Sequence, residues 1–329
     1  MSSLVRVGIA GTGSAAPERV VTNHEFEKYV DTTDEWIVQR TGIRERRFAK
    51  EGEATSDFST DAGRKALEAA GISAEELDLV IVGTLTPDYL LPSCSVLVQD
   101  RLGAKNAGAF DVASACTGFM TAMSTAEAFI ASGRAKNVLA IGAETLSSFL
   151  DMKDRSSCIL FGDAAGAVVM RPWEECKQGE VLKTTLGADG SAFEAIHMKG
   201  GGSRVPPTLE SVERGDHFIR LKGREVYRFA VTKMADLILE MAEGHDPEEI
   251  GIVVPHQVNQ RIIEAAMERV GWSLDKVMIN IDRYGNTSAA TVPVALDEAL
   301  RAGRVQKGKL AIFVAFGAGL TWGASLVRW

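Results

Sequence analysis

The segment "GAFDVASACTGFMTAMSTAEAFIASGR", residues 108–134, has the pattern of one strand, one tight turn and one helix in succession. A short apolar run leads into small residues, and a longer helical run then ends at a Gly-Arg pair. Around this segment, apolar runs such as "LDLVIVGTL" and "NVLAIGAE" alternate with other helical stretches. The alternation predicts an α/β fold with mainly parallel strands.

The same order of elements recurs in the second half of the chain. After residue 249 it runs through "IGIVV", "RIIEAAMERVG", "VMINID", "ALDEALRAGR" and "LAIFVAFGAG". The Gly-Arg pairs at 133–134 and 303–304 lie 170 residues apart, and the same offset carries Cys116 onto Asn286. The pattern predicts a duplicated unit.

We expect the two halves to be residues 1–173 and 174–329, with the turn-rich stretch "MRPWEECKQGEV" as their junction. Ligands of α/β proteins gather at the carboxyl ends of strands, and two halves that meet at such ends would form a cleft. Cys116 and Asn286 both follow strand-like runs, so we expect both side chains at that cleft.

Composition limits the classes of function. The chain has 329 residues and a formal charge of −8, which favours a globular protein without a broad surface for nucleic acid or anionic membranes. It has neither a leader-like N-terminus nor an apolar stretch of about 18 residues, so we expect a cytoplasmic protein. The four cysteines form no CxxC pair and no Cys/His cluster, so we expect reduced thiols and no metal site.

Two local motifs have structural interpretations. "GTGSAA", residues 11–16, matches a dinucleotide-binding fingerprint, but Pro17 and a β-branched run follow where a helix is required. We therefore expect a turn made by the glycines. "RLKGREVYR", residues 220–228, carries a local charge of +3, and without an acidic partner it is typical of a solvated helix face.

Cys116 lies where a strand-like run ends and a helix-like run begins. A lone cysteine is more often a small buried hydrophobe than a nucleophile. At the start of a helix, however, backbone N–H groups and a partial positive charge would point at the sulfur and favour the thiolate.

His256 follows the apolar run "GIVVP", and Asn286 lies at the mirrored position of the repeat. Each residue alone has an ordinary structural role, as a core or rim histidine and as a helix N-cap. Together with Cys116 they are the residue types needed for thiol-based acyl chemistry. We therefore expect the three to form one catalytic set.

The chain resembles the β-ketoacyl-acyl-carrier-protein synthase III family, the initiating condensing enzymes of type II fatty-acid synthesis in the thiolase-like superfamily. Six blocks, in order along nearly the whole chain, carry the resemblance: "TTDEWIVQRTGIRERRFA", "DVASACTGF", "FGDAAGAVVM", "VPHQVNQRII", "DRYGNTSAATVPVALDEA" and "AFGAGLTWGASLVRW". The resemblance implies an α/β thiolase-like fold, duplicated and layered as αβαβα, and a homodimer.

The resemblance also implies roles for individual residues. Cys116 is the acyl-accepting nucleophile, His256 and Asn286 complete the Cys-His-Asn set, and backbone N–H groups of Cys116 and Ala318 form the oxyanion hole. The other implied residues bind coenzyme A, bind carrier protein or gate the acyl pocket: Thr32, Trp36, Arg40, Arg155 and Asn259; Gln257, Arg261 and Arg228; and Leu91. Trp36 and Arg155 are expected to sandwich the adenine of coenzyme A.

The implied function is an acyltransferase that condenses a short acyl-CoA with malonyl-acyl-carrier protein, giving 3-oxoacyl-carrier protein, CoA and CO2 without a cofactor. A starter-unit or secondary-metabolite synthase of the same fold is the alternative. A catalytically inactive acyl-binding module is a third interpretation, which the intact Cys-His-Asn set disfavours. Leu91 stands where some acetyl-preferring members have phenylalanine, so the sequence leaves primer length and branching open.

Overall fold

The computed structural model describes residues 4–329, and strands and helices alternate along them. The strands are β1 (Val7–Ala15), β2 (Val20–Thr22), β3 (Glu45–Arg47), β4 (Leu79–Gly83), β5 (Gly108–Val112), β6 (Val138–Thr145), β7 (Asp163–Pro172), β8 (Glu180–Ala188), β9 (Ile196–Met198), β10 (Ile219–Leu221), β11 (Ile250–Pro255), β12 (Leu310–Gly317) and β13 (Thr321–Arg328). The helices are α1 (Asn23–Phe26), α2 (Asp34–Thr41), α3 (Thr55–Ala70), α4 (Cys94–Leu102), α5 (Gly118–Ala131), α6 (Arg155–Cys158), α7 (Trp173–Cys176), α8 (Leu209–Glu213), α9 (Gly223–Ala242), α10 (Gln260–Val270), α11 (Ile281–Tyr284) and α12 (Thr291–Arg301).

Two large sheets repeat one strand order. The first has the order β1-β7-β6-β4-β5 and the second has β8-β13-β12-β11. The strands β1, β7, β6 and β4 thus correspond to β8, β13, β12 and β11, as the predicted duplication requires. In place of β5, the second sheet has only a parallel bridge between Val253 and Val277. The predicted strand "VMINID" does not form, and its last two residues begin α11.

The prediction of mainly parallel strands is wrong, because both sheets are mixed. β4 runs parallel to β5 and β6, and β11 runs parallel to β12. β7 is antiparallel to β6 and β1, and β13 is antiparallel to β12 and β8. β12 turns directly into β13 with Gly317 opposite Thr321, and a return without a crossover helix gives an antiparallel pair.

The sheets and helices form five layers, in the αβαβα order expected from the resemblance. Helices α3 and α4 cover the outer face of the first sheet, and α9 and α10 cover that of the second. Between the sheets, α5 and α12 bury apolar side chains such as Phe119, Met123 and Leu296 against Ile81 and Phe313. Within residues 4–329, no helix has the length and apolar composition needed to cross a bilayer.

Both central helices start from the same backbone kink. Ala115 and Ser288 each begin a 3₁₀ turn with a φ of 49°, directly before α5 and α12. By this correspondence, Cys116 in the first half is equivalent to Ala289 in the second half, whereas Asn286 lies in the loop before the kink. The predicted pairing of Cys116 with Asn286 is therefore wrong in register, because α5 has 14 residues and α12 only 11, and the offset changes along the helices.

We propose residues 1–173 and 174–329 as the two halves of the duplicated chain. The last strand of the first sheet ends at Pro172, and the first strand of the second sheet begins at Glu180. Between them lies only the short helix α7 with a few connecting residues. The boundary therefore coincides with the passage of the chain from one sheet to the other.

The motif "GTGSAA" forms neither a nucleotide-binding loop nor the predicted turn. Its first residues lie inside β1, where α3 packs against the backbone. A Cβ atom on Gly11 would lie 2.4 Å from Ala70 N and 2.5 Å from Ala66 O. Glycine is required here because the helix and the strand approach without a side chain between them.

Gly11→Ala is expected to destabilise the fold by about 1–3 kcal/mol, because the added methyl group overlaps the backbone of α3. Gly202→Ala is the control, since a Cβ atom there meets open space. Urea unfolding of both variants measures the difference. Equal unfolding free energies for the two variants would contradict the proposed close contact.

Candidate active site

Cys116, His256 and Asn286 line one cavity, as the sequence predicts. The cavity has a volume of about 1170 Å³, which includes open solvent at its mouth. Its walls are mainly apolar, and they include Ile159, Leu160, Phe161, Val226, Phe229, Phe316 and Leu320. A few polar groups in an apolar chamber suit a ligand with a long apolar part and one reactive polar group.

Cys116 lies in the turn between β5 and α5, with its sulfur against the end of β12. A Cβ atom on Gly317 would lie 2.7 Å from Cys116 Cβ and 3.0 Å from its Sγ, so any side chain at residue 317 would displace the cysteine. The backbone N–H groups of Ala318 and of Cys116 itself donate towards the sulfur. Two N–H donors therefore converge on the sulfur, the atom that would act as the nucleophile.

Burial raises the pKa of the Cys116 thiol to about 11. The hydroxyl of Ser288, 3.5 Å from Sγ, lowers this pKa, and the nearby carboxyl of Glu144 raises it. The helix start was expected to favour the thiolate. In the folded protein, desolvation outweighs the hydrogen bonds to sulfur, so at neutral pH the resting group is the thiol.

His256 follows β11 directly and is 1% exposed. Its Nδ1 lies 2.7 Å from Thr291 Oγ1, and its ring packs edge-on against Phe316. Burial lowers the pKa of His256 to about 3, so the imidazole is neutral at neutral pH. Within residues 4–329, no hydrogen bond engages its Nε2.

Asn286 is also buried, and its orientation is fixed by the chain around it. Its backbone N–H donates to Leu160 O, and its backbone carbonyl accepts from Gly162 N. Its Oδ1 accepts from Ser288 N at 2.9 Å. The side-chain Nδ2 is then a donor without a protein partner in the described part of the chain, so it remains for a ligand.

Trp36 and two arginines lie at the mouth of the cavity. The guanidinium carbon of Arg155 is 4.7 Å from the Trp36 ring centre, and that of Arg40 is 5.5 Å from it. Arg155 also donates to Asp31 O at 2.5 Å. Because Arg155 stacks directly on the indole, no gap for an adenine separates them, and the expected sandwich requires the Arg155 side chain to swing away.

Thr32 and Asn259, the other expected coenzyme A contacts, differ in how their side chains are used. Asn259 caps α10 by accepting from Arg261 N at 2.9 Å and donates to Arg40 O at 3.1 Å. Thr32 does not line the cavity, but its buried Oγ1 has no hydrogen-bond partner in residues 4–329. Asn259 thus braces the mouth of the cavity, whereas the Thr32 hydroxyl remains unsatisfied.

Gln257 cannot contact a carrier protein directly, so that expectation is wrong. The residue is 1% exposed. Its Nε2 donates to Pro255 O at 2.9 Å and Met278 O at 3.0 Å, and its Oε1 accepts from Asn280 N at 3.0 Å. The side chain joins the end of β11 to the loop before α11 and leaves no polar atom for a partner.

The basic segment 220–228 presents less unpaired positive charge to solvent than its sequence indicates. Arg220 pairs with Asp151 at 2.8 Å, and Lys222 pairs with Glu194 at 3.3 Å. Three exposed cations without an ion pair in residues 4–329 lie on helices that also line the cavity: Arg224 and Arg228 of α9 and Arg261 of α10. The basic surface thus spans the starts of two helices and not one continuous segment.

Leu91 does not gate the cavity of its own chain. It is 83% exposed, lies in the loop after β4 and is absent from the cavity lining. Tyr89 and Leu90 in the same loop are also exposed. The expected gate is wrong for the single chain, because this loop extends into solvent and not towards Cys116.

Sequence reasoning missed two polar residues beside the nucleophile. Ser288 Oγ lies 3.5 Å from Cys116 Sγ and 3.2 Å from Glu144 Oε1. Glu144 is fully buried near the end of β6, in the run "VLAIGAET", whose residues are all buried. A single acidic residue in an otherwise apolar strand was the signal that could have identified it.

Comparisons with known proteins agree with this fold. A family model described as 3-oxoacyl-(acyl-carrier-protein) synthase III matches residues 110–190, and the model of its C-terminal part matches residues 241–329. The chain is 49% identical over 331 residues to a β-ketoacyl-(acyl-carrier-protein) synthase III of Caldanaerobacter subterraneus subsp. tengcongensis, covering 100% of this chain and 99% of that protein.

Solved structures give the same result. The crystal structure of 3-oxoacyl-(acyl-carrier-protein) synthase III from Aquifex aeolicus has a TM-score of 0.90 and 47% identity, covering 98% of this chain and 100% of that one. The priming β-ketosynthase of the R1128 polyketide pathway has a TM-score of 0.91 and 36% identity, covering 100% and 98%. The duplicated five-layer arrangement is therefore the thiolase-like fold, and the chain belongs to the 3-oxoacyl-(acyl-carrier-protein) synthase III family.

Proposed function

We propose that this chain condenses a short acyl-CoA with malonyl-acyl-carrier protein to form 3-oxoacyl-carrier protein, CoA and CO2, which initiates type II fatty-acid synthesis. The observation that carries the proposal is the convergence of three groups in one apolar cavity: the Cys116 thiol and two nitrogens without protein partners, His256 Nε2 and Asn286 Nδ2. The family consists of acyltransferase-type condensing enzymes, which agrees with this set.

In the first stage, Cys116 Sγ attacks the thioester carbonyl of acyl-CoA. The carbonyl oxygen becomes an oxyanion, which the N–H groups of Cys116 and Ala318 can stabilise because they already point to the reacting sulfur. The new C–S bond forms to Cys116 and the C–S bond to CoA breaks. Since the resting thiol is neutral, its proton leaves during the attack and ends on the departing CoA sulfur.

In the second stage, malonyl-carrier protein loses CO2, and the bonding electrons move into its thioester carbonyl as an enolate. The enolate carbon attacks the acyl carbonyl on Cys116, the C–S bond to Cys116 breaks, and the released thiolate takes up a proton from solvent to restore the resting thiol. His256 and Asn286 are the donors for the enolate oxygen. Asn286 Nδ2 can donate at every pH, and the neutral imidazole can donate from one nitrogen.

We assign to Thr291 the control of which nitrogen of His256 carries the hydrogen, because its hydroxyl is the hydrogen-bond partner of Nδ1. Its hydroxyl has a single hydrogen and two acceptors in reach, Ser288 O at 2.9 Å and His256 Nδ1 at 2.7 Å. When Thr291 donates to Nδ1, the ring hydrogen lies on Nε2, as the enolate donor role requires. Thr291 is therefore a positioning residue for this stage.

The substrates enter past a cationic mouth. Four residues surround this mouth: Trp36, Arg155, Arg40 and Asn259. The Thr32 hydroxyl lies outside the cavity lining and has no hydrogen-bond partner in residues 4–329. We assign these five residues to binding the nucleotide and pantetheine of coenzyme A. Arg228 and Arg261 are exposed on α9 and α10, two helices that also contribute residues to the cavity lining, so an acidic carrier protein that docks there would meet positive charge.

A second copy of the chain would cover two exposed features. β5 has one neighbouring strand and forms the edge of the first sheet, and the loop after β4 exposes Leu85, Tyr89, Leu90 and Leu91. An open strand edge beside exposed apolar side chains is typical of an interface. We assign this surface to a homodimer, in which the gating role expected for Leu91 belongs to the assembled pair.

The remaining expectations follow from the reaction. Cys116 carries the acyl group and CO2 loss supplies the carbanion, so the chemistry needs no metal or redox cofactor. The four cysteines are free thiols, which suits a cytoplasmic enzyme. A starter-unit or secondary-metabolite synthase remains the second candidate because of the R1128 similarity, but the identity to the synthases III named above is higher.

His256→Ala and Asn286→Ala are each expected to slow CO2 release from malonyl-carrier protein by about a hundredfold, since each removes one enolate donor. Acylation of Cys116 should remain measurable in both. Cys116→Ala is the control that should show no covalent label from acetyl-CoA by mass spectrometry. Normal CO2 release by both donor variants, or labelling of the Cys116→Ala variant, would refute the proposed function.

Thr291→Val keeps the shape of the side chain but removes the hydroxyl. We expect CO2 release to fall by about tenfold because His256 loses the partner that holds its hydrogen on Nε2. The acylation rate should stay unchanged, and Thr291→Ser should restore CO2 release. Loss of both activities, or no rescue by serine, would argue against the positioning role.

Arg261→Glu is expected to raise the KM for malonyl-carrier protein roughly fivefold, the equivalent of about 1 kcal/mol for an exposed charge contact. The KM for acyl-CoA should not change, and added salt should reduce the difference. Arg269→Glu reverses a charge at the far end of α10 and is the control. An equal change in both KM values would contradict carrier docking at Arg261.

A further inference from the structure

Glu144 is a buried carboxylate that the reaction proposed above leaves without a role. It lies in β6 with 0% exposure. Three donors from the segment after β4 hold its Oε2: Leu85 N at 3.1 Å, Thr84 Oγ1 at 3.3 Å and Thr86 Oγ1 at 2.7 Å. Among residues 4–329, its Oε1 has a single hydrogen-bond partner, Ser288 Oγ at 3.2 Å.

Ser288 connects this carboxylate to the nucleophile. Its Oγ lies 3.5 Å from Cys116 Sγ, and a hydroxyl can accept one hydrogen while it donates another. The backbone holds the side chain in place, because Ser288 has a φ of 49° and its N–H donates to Asn286 Oδ1. An unbroken path therefore runs from the thiol through the hydroxyl to the carboxylate.

A purely structural carboxylate in the same protein is arranged differently. Asp297 of α12 is also buried, but its two oxygens accept from Thr12 Oγ1 at 2.8 Å, Ser14 Oγ at 2.6 Å and Arg301 Nε at 3.0 Å, and neither oxygen is hydrogen-bonded to a residue that lines the active-site cavity. In Glu144, one oxygen anchors the strand and the other reaches the reacting atom through one hydroxyl. Burial also raises the pKa of Glu144 to about 7, which suits a group that takes up and returns a proton near neutral pH.

We propose that Glu144 accepts the Cys116 thiol proton through Ser288 as the sulfur attacks acyl-CoA, an inference that rests on the proposed acyl transfer. The thiol hydrogen passes to Ser288 Oγ, and the Ser288 hydroxyl hydrogen passes to Glu144 Oε1. The S–H electron pair forms the bond from Cys116 to the acyl carbon, and the C–S bond to CoA breaks. Glu144 then returns the proton through Ser288 Oγ to the departing CoA thiolate.

Alkylation of Cys116 by iodoacetamide tests the relay without any acyl substrate. In the wild type, ionised Glu144 takes the proton, so the alkylation rate should rise with pH through an inflection near the Glu144 pKa of about 7. Glu144→Gln should lose this inflection and react at least about tenfold more slowly above it. An electrostatic role alone gives the opposite result, because removing the negative charge would lower the thiol pKa and speed alkylation.

Two further variants check the path. Ser288→Ala should slow alkylation as Glu144→Gln does, and the double variant should be no slower than either single variant, since both break one relay. Asp297→Asn should leave the pH profile unchanged. Faster alkylation in Glu144→Gln, additive effects in the double variant or the same loss in Asp297→Asn would overturn the proposal.

A measurement of CO2 release separates the relay from damage to the cavity. Glu144→Gln that has been acylated by long incubation with acetyl-CoA should release CO2 from malonyl-carrier protein at the wild-type rate, because an acylated sulfur has no proton to give. A parallel fall in CO2 release would overturn the relay. Failure of acetyl-CoA to label the wild type would refute the proposed function, whereas the iodoacetamide profile would still decide the role of Glu144.

Discussion

The contact on which the site depends is a direct approach of backbones between the first sheet and the two central helices. A Cβ atom on Gly83 would lie 2.3 Å from the carbonyl of Gly118, and one on Gly142 would lie 2.2 Å from Ala289 O. Both helices thus begin against the sheet with no side chain between. Their first turns meet there, and Cys116 and Ser288 come within hydrogen-bond distance although 172 residues separate them.

Much of the fold could be predicted because duplication and alternation are local patterns that packing preserves. Cys116 and His256 were found because each follows an apolar strand, and strand ends determine where a cleft forms. The register of the repeat and the edge strand of the second sheet were not predictable in the same way. Within residues 4–329, the run "VMINID" joins the edge strand β11 by a single bridge and forms no strand, and the different lengths of α5 and α12 shift the apparent repeat, so both expectations failed.

The candidate site shows the same division. Residue type and position identified the thiol, the imidazole and the amide. The roles expected for Gln257 and Leu91 depend instead on solvent accessibility, which does not follow from a motif. Gln257 is sealed by three backbone groups, and Leu91 points into solvent. Ser288 and Glu144 were missed because their contacts join segments distant in sequence, although a lone acid in a buried strand was a usable signal.

The Cys116 thiol and the His256 imidazole are neutral at rest, and the Glu144 carboxyl is held by several hydrogen-bond donors. The cavity disfavours charge, which keeps the imidazole unprotonated and the thiol protonated. At the thiol and the imidazole, charge therefore appears only during the reaction, and preorganised N–H donors act more strongly on such charge in an apolar site than in water.

The desolvation of the half-buried Cys116 thiol has a consequence for the lifetime of the enzyme. Peroxide and other oxidants attack the thiolate and not the thiol, and the first product, a sulfenic acid, leads on to irreversible forms. A nucleophile that stays protonated between turnovers in an apolar chamber offers these oxidants little to attack. The same desolvation that makes the sulfur slow to ionise thereby preserves it in the reduced state.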